Sequence, residues 1–117
     1  MAQHGALEAL KNGMDDIERM KQSYKQRRNY IVKSFNEIGL TCHLPGGAFY
    51  AFPSIRETGL TSEEFAEKLL LEERVAVVPG HVFGAGGEGH IRCSYATSMD
   101  NLEQSVERLD QLLKRLR

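Results

Sequence analysis

From Met14 to Ile38 apolar side chains recur at helical spacing, at Met14, Ile17, Tyr24, Ile31, Phe35 and Ile38, with lysine, arginine and glutamate filling the other faces. The pattern predicts one long amphipathic helix. Gly39 is placed to end it, because glycine tolerates the left-handed conformation that follows many helices, and Asn12 and Asp15 are the candidates for its N-cap. At about 1.5 Å per residue such a helix spans roughly 36 Å, the width of a small domain. A chain of 117 residues makes one small domain with a single core. A rod this long is therefore expected to pack along another body as well as its own core.

The remaining sequence supplies shorter pieces. In "LTCHLPGGAFYAFP" Leu40, Cys42 and Leu44 alternate with polar residues, Pro45-Gly46-Gly47 interrupts, and an aromatic run follows, which predicts strand, turn and strand. "TSEE" at 61–64 has the form of a capping box and starts a helix that buries Phe65, Ala66 and Leu69. Val75 to Val78 form a β-branched run stopped by Pro79-Gly80, read as a short buried strand. A glycine-rich loop, a strand containing Arg92 and a closing helix complete the chain. In that helix Leu102, Val106, Leu109, Leu113 and Leu116 draw a continuous apolar seam, and Lys114, Arg115 and Arg117 sit at the negative pole of its dipole. The expected fold is an α/β two-layer sandwich: a small, mostly antiparallel sheet covered by helices, among them the long N-terminal connecting helix.

Composition narrows the function. With 41% hydrophobic and 26% charged residues the chain reads as globular, and fifteen basic against sixteen acidic side chains leave a net charge of −1. That balance argues against nucleic acid and anionic membrane as partners. No apolar run approaches the roughly 18 to 20 residues that cross a bilayer. The start, "MAQHGALEAL", lacks the basic and apolar regions of a signal peptide, so a cytoplasmic location is expected. Cys42 and Cys93 then read as reduced, small apolar packers.

Three kinds of chemistry can be weighed. "GAGGEG" places Gly84, Gly86 and Gly89 in the pattern G-x-G-x-x-G, but a dinucleotide site needs a strand before the glycines and a helix directly after, and here a strand follows. A mobile loop with positive φ angles is the alternative. The four histidines and two cysteines are scattered, and neighbours such as Cys42-His43 would point to opposite faces of a strand, so no metal site is expected. The third is Arg92, in "GHIRCSYATS". With a period of two, Ile91, Cys93 and Tyr95 share one face while Arg92, Ser94 and Ala96 share the other. The guanidinium thus stands on the outward face between small residues, a planar fork suited to a carboxylate. A solvated arginine paired with an acid on a neighbouring strand would produce the same pattern.

Taken in order, "LPGGAFYAFP", then "VAVVPGHVFGAGGEGHIRCSYATS", then the leucine-rich last helix resemble the C-terminal small domain of class I/II, fold type I, pyridoxal-phosphate-dependent aminotransferases of the aspartate and aromatic kind. The resemblance covers essentially the whole chain. It implies that Arg92 grips the α-carboxylate of an amino-acid or 2-oxo-acid substrate and that Gly46 and Gly47 form a turn allowing close approach to that substrate. It further implies that Phe83 and His81 edge the active-site mouth, with a hydrophobic loop anchor and a solvated histidine as the plainer alternatives. The family's cofactor is pyridoxal 5'-phosphate, bound by a lysine of the large domain. Of Lys11, Lys21, Lys25, Lys33, Lys68 and Lys114 none lies in that lysine motif. The resemblance therefore implies residues 1–13 as the remnant of a preceding large domain and 14–117 as the small domain. The full-length protein would be a homodimeric aminotransferase, with no cofactor expected on this chain alone and no catalytic residue in it. A free-standing module that binds a carboxylate or a protein through the Arg92 face, without catalysis, is the alternative.

Overall fold

A computed structural model describes residues 1–117. Four helices, α1 (Ala2–Asn12), α2 (Met14–Glu37), α3 (Ser62–Glu73) and α4 (Met99–Leu116), surround three short strands, β1 (Tyr50–Ala51), β2 (Val78–Pro79) and β3 (Ile91–Ser94). The strands lie in the order β1-β3-β2 with both pairings antiparallel, so the expected small antiparallel sheet under helices is observed. Beyond Ala51 the β1–β3 pairing continues in fragments, through Ile91 N–H to the Pro53 carbonyl, a Ser54–His90 bridge, and Ile55 N–H to the Gly89 carbonyl.

The core gathers Ile31 and Phe35 of α2, Phe65 and Leu69 of α3, and Leu102, Leu109, Leu112 and Leu113 of α4 against the buried face of β3. Leu112 is fully buried although it stood outside the seam read from the sequence. The side chains α2 contributes to the core, Ile31, Val32 and Phe35, come from its C-terminal part. Met14, Ile17 and Met20, along its first two turns, are exposed, and the molecule extends 52 × 28 × 24 Å.

Several local expectations change. Gly13, not Asn12 or Asp15, caps α2, because residues 2–12 already form a helix of their own that runs up to it. Gly39 does follow the helix end at φ +100°. Leu40–Leu44 form no strand. The Asn36 side chain takes the place of a neighbouring strand, its Oδ1 accepting from Cys42 N–H at 3.1 Å and its Nδ2 donating to the Cys42 carbonyl at 3.0 Å. Only the end of the Val75–Val78 run pairs, and Pro79, expected to stop the strand, lies within it opposite Ile91. An edge strand tolerates proline, since no ladder bond is needed on its open side. The basic end of α4 is used for contacts rather than for its dipole alone. Arg115 meets Glu72 at 3.2 Å and Glu73 at 2.5 Å, and Arg117 donates to the Ile38 carbonyl.

The capping box forms as read. Thr61 Oγ1 accepts from Glu64 N–H at 3.2 Å, and the Glu64 carboxylate accepts from Thr61 N–H at 3.0 Å. Thr61→Ala is expected to cost about 1 kcal/mol, read as a lowered urea midpoint with an unchanged slope. The bonds to Thr61 hold the Glu64 carboxyl below the usual carboxylate range. Its half of the box therefore contributes fully above the unfolded pKa of about 4.3 and is lost as pH falls through the lower folded value.

Candidate functional site

β3 is the central strand, and its alternation is as predicted: Ile91, Cys93 and Tyr95 are buried while Arg92 and Ser94 face outward. Burial raises the Cys93 thiol far above its ordinary range, as expected of an inert packer. Tyr95 donates its hydroxyl to the Ala48 carbonyl at 2.9 Å, tying the end of β3 to the turn before β1. Ala48 holds that turn at φ +59°, a left-handed conformation for a residue with a side chain.

Register places Tyr50 opposite Ser94 and Val78 opposite Arg92, so Tyr50, Val78 and Arg92 share one face of the sheet. The Arg92 guanidinium carbon lies 4.2 Å from the centre of the Tyr50 ring and 4.7 Å from that of Phe83. Both contacts set the cation over the π-face of an aromatic ring. None of the six ion pairs of the chain includes Arg92, and no side-chain hydrogen bond does. The structure thus contains no acid pairing with this arginine. The donors of the fork have no partner within the chain. Beside it opens a shallow cleft of about 160 Å³ lined by Tyr50, Val77, Val78, Arg92 and Ser94.

The other predicted residues are not all brought to this cleft. Phe83 is, through its contact with Arg92. Gly46 and Gly47 line a separate groove of about 290 Å³ with Lys21, Tyr24, Arg28 and Tyr95. A Cβ at either glycine would meet nothing within 4 Å, so this chain itself does not require their smallness. His81 is exposed, and its Nδ1 lies 3.2 Å from the buried Ser62 hydroxyl. The glycine-rich segment folds as a short 3₁₀ turn, Ala85–Gly87, with no helix opening after it, so the dinucleotide pattern has no phosphate-binding helix. Its Glu88 accepts two hydrogen bonds from Ser62, which also anchors what the sequence suggested was a mobile loop. Tyr50 could have been found from the register of two predicted strands. Ser62 and Glu88, 26 positions apart, gave no sequence signal.

Comparisons with known proteins place the chain in a family. Residues 1–109 match the family model described as aminotransferase class I and II. The chain belongs to the class I and II aminotransferases. It is 64% identical over 113 residues to YugH of Bacillus subtilis, and 46% identical over 114 residues to an aspartate aminotransferase of Pyrococcus abyssi. These matches take in 97% and 96% of this chain but 29% of each relative. A solved aromatic aminotransferase of Pyrococcus horikoshii superposes with a TM-score of 0.88 at 48% identity, covering 92% of this chain and 29% of that one. The aminotransferase chain thus spans less than a third of the length of its relatives.

Class I and II aminotransferases depend on pyridoxal phosphate, so the donor set of this one bears on where the cofactor sits. All six lysines lie on helices, and none lines the Arg92 cleft. Nor do three of its histidine, cysteine, aspartate or glutamate side chains gather around a metal-sized space. No helix is long and apolar enough to cross a membrane.

Proposed function

We propose that the chain is the substrate-carboxylate-binding small domain of a pyridoxal-phosphate-dependent aminotransferase that moves an amino group between an L-amino acid and a 2-oxo acid. The observation that carries this reading is the Arg92 guanidinium, set over the Tyr50 and Phe83 rings with no internal acid to neutralise it. Stacking limits the rotation of the side chain, so less freedom is lost when two parallel N–H bonds close on a carboxylate. The hydroxyl of Ser94 and the apolar Val78 line the opening beside the guanidinium, whose bonds to a carboxylate are charge-assisted.

In this reading residues 14–117 are the small domain and residues 1–13 the end of the preceding large one. The large domain holds the cofactor and its lysine, and the full-length enzyme is a homodimer in the cytoplasm. Exposed Met14, Ile17 and Met20 on α2 support it, being apolar side chains with nothing of this chain to cover them. Gly46 and Gly47 leave open space where a neighbouring body or guest can come close. Phe83 and His81 lie along the mouth of the site.

The test pairs the isolated chain with the full-length protein. Each is incubated with pyridoxal phosphate, reduced with borohydride, mapped for labelled lysine, and assayed for amino transfer to a 2-oxo acid. One labelled lysine outside residues 1–117, with turnover in the full-length protein only, is expected. Turnover by the isolated chain with a single labelled lysine among its own six would overturn the assignment.

A further inference from the structure

We infer that Glu88 is a positioning residue for the Arg92 carboxylate site, acting through Ser62 and His81 to hold Phe83 on the guanidinium. The inference rests on the reading of Arg92 given above. Glu88 Oε1 accepts from Ser62 N–H at 2.9 Å and Oε2 from the Ser62 hydroxyl at 2.8 Å. Because the hydroxyl proton is given to the carboxylate, what Ser62 Oγ offers His81 Nδ1, at 3.2 Å, is a lone pair. Nδ1 therefore carries a proton and donates it. This direction also excludes Ser62 as a nucleophile activated by His81, since its proton points the other way.

Two points of the 80–89 segment, His81 and Glu88, thus converge on one side chain that is fully buried at the first turn of α3. The carboxylate sits at the positive end of that helix, and its bonds to Ser62 keep it below the usual carboxylate range. Between the two anchors the backbone closes on itself. Gly80 N–H donates to the His90 carbonyl at 2.8 Å, and a Cβ on Gly80 would fall on the carbonyl of Gly87.

Phe83 lies within this closed segment. Its ring touches Arg92 and, edge-on at 6.2 Å between centres, Phe52, yet it is 50% exposed. A ring so exposed gains too little from burial to fix its own position. The anchors on Ser62 supply what burial does not. Releasing Glu88 frees Phe83 from the guanidinium, and the fork then loses one of the two rings that orient it.

The test uses the full-length enzyme and the variants Glu88→Gln, Arg92→Lys and their combination. For Glu88→Gln we expect KM for both the amino acid and the 2-oxo acid to rise about tenfold, as for one misaligned charge-assisted bond, with kcat changed by less than about twofold. In the Arg92→Lys background the same substitution should add less than about twofold, since sites acting through one group are not additive. A purely structural role would lower the melting temperature and the active fraction while leaving KM where it was. If Arg92→Lys leaves KM unchanged, the Arg92 reading fails and this inference with it. If Arg92→Lys raises KM while Glu88→Gln does not, or adds its full factor to the double variant, the positioning role alone is refuted. Should Glu88→Gln give little folded protein, His81→Gln removes the other anchor at an exposed side chain and is judged by the same ratios.

Discussion

Arg92→Lys in the full-length protein is expected to raise KM for the amino acid and the 2-oxo acid by about a hundredfold while kcat changes much less. The magnitude follows from what the substitution removes. A charge-assisted hydrogen bond contributes about 1.5–3 kcal/mol, and lysine offers a point charge where arginine offers two parallel donors. The stacking on Tyr50 and Phe83, at 4.2 and 4.7 Å, is lost as well. Each face is worth about 0.5–1 kcal/mol at a partly exposed site. A tenfold change in affinity needs only about 1.4 kcal/mol, so two decades lie well within reach. The effect falls on KM because the carboxylate takes no part in bond making. Its contacts are equally strong in the ground and transition states, and loss of such uniform binding leaves kcat in place. Steady-state kinetics with both substrates decide the matter, and a KM within about threefold of the parent's would falsify the role given to Arg92.

The second large effect concerns stability. Phe65 is fully buried on α3, in the same cluster as Leu69, Leu109 and Leu112. Phe65→Ala is expected to cost about 3–5 kcal/mol through lost burial and the cavity left behind. Against a typical domain stability of about 5–15 kcal/mol, that shifts the unfolding midpoint strongly or leaves little folded protein. The contrasting case is Phe83, half exposed, where alanine should lower the midpoint by under about 1 kcal/mol and act instead on KM. Urea unfolding of the two variants side by side measures both. Equal losses of stability would mean that Phe83 belongs to the core and that the Arg92 face is closed.

The two substitutions separate what holds the fold from what the fold presents. Phe65 lies beneath the sheet, where replacing it disturbs every neighbour in a close-packed interior. Arg92 lies above it, on a strand whose other face is buried by Ile91 and Cys93. The scaffold therefore survives changes at the site, which makes kinetic variants interpretable.

The sequence by itself determined the pieces whose information is local. Helical spacing marked α2 and α4, the Thr61–Glu64 box marked the start of α3, and alternation set Arg92 outward and Tyr95 inward. Each depends on residues within a few positions of one another, where the period of the backbone alone decides which way a side chain points. The motifs of the resemblance named the family for the same reason, being short and contiguous. Where a partner distant in sequence decides, that reading stops. Leu40–Leu44 alternate like a strand, but Asn36 pairs with Cys42 where a strand neighbour would have been. The β-branched Val75–Val78 run pairs only at its end, where Val78 lies opposite Arg92. The stacking of Phe83 on Arg92 and the convergence of His81 and Glu88 on Ser62 were decided by tertiary structure alone. They arise only after the chain has closed between α3 and the glycine-rich segment, and no periodicity records which distant side chains such a closure brings together.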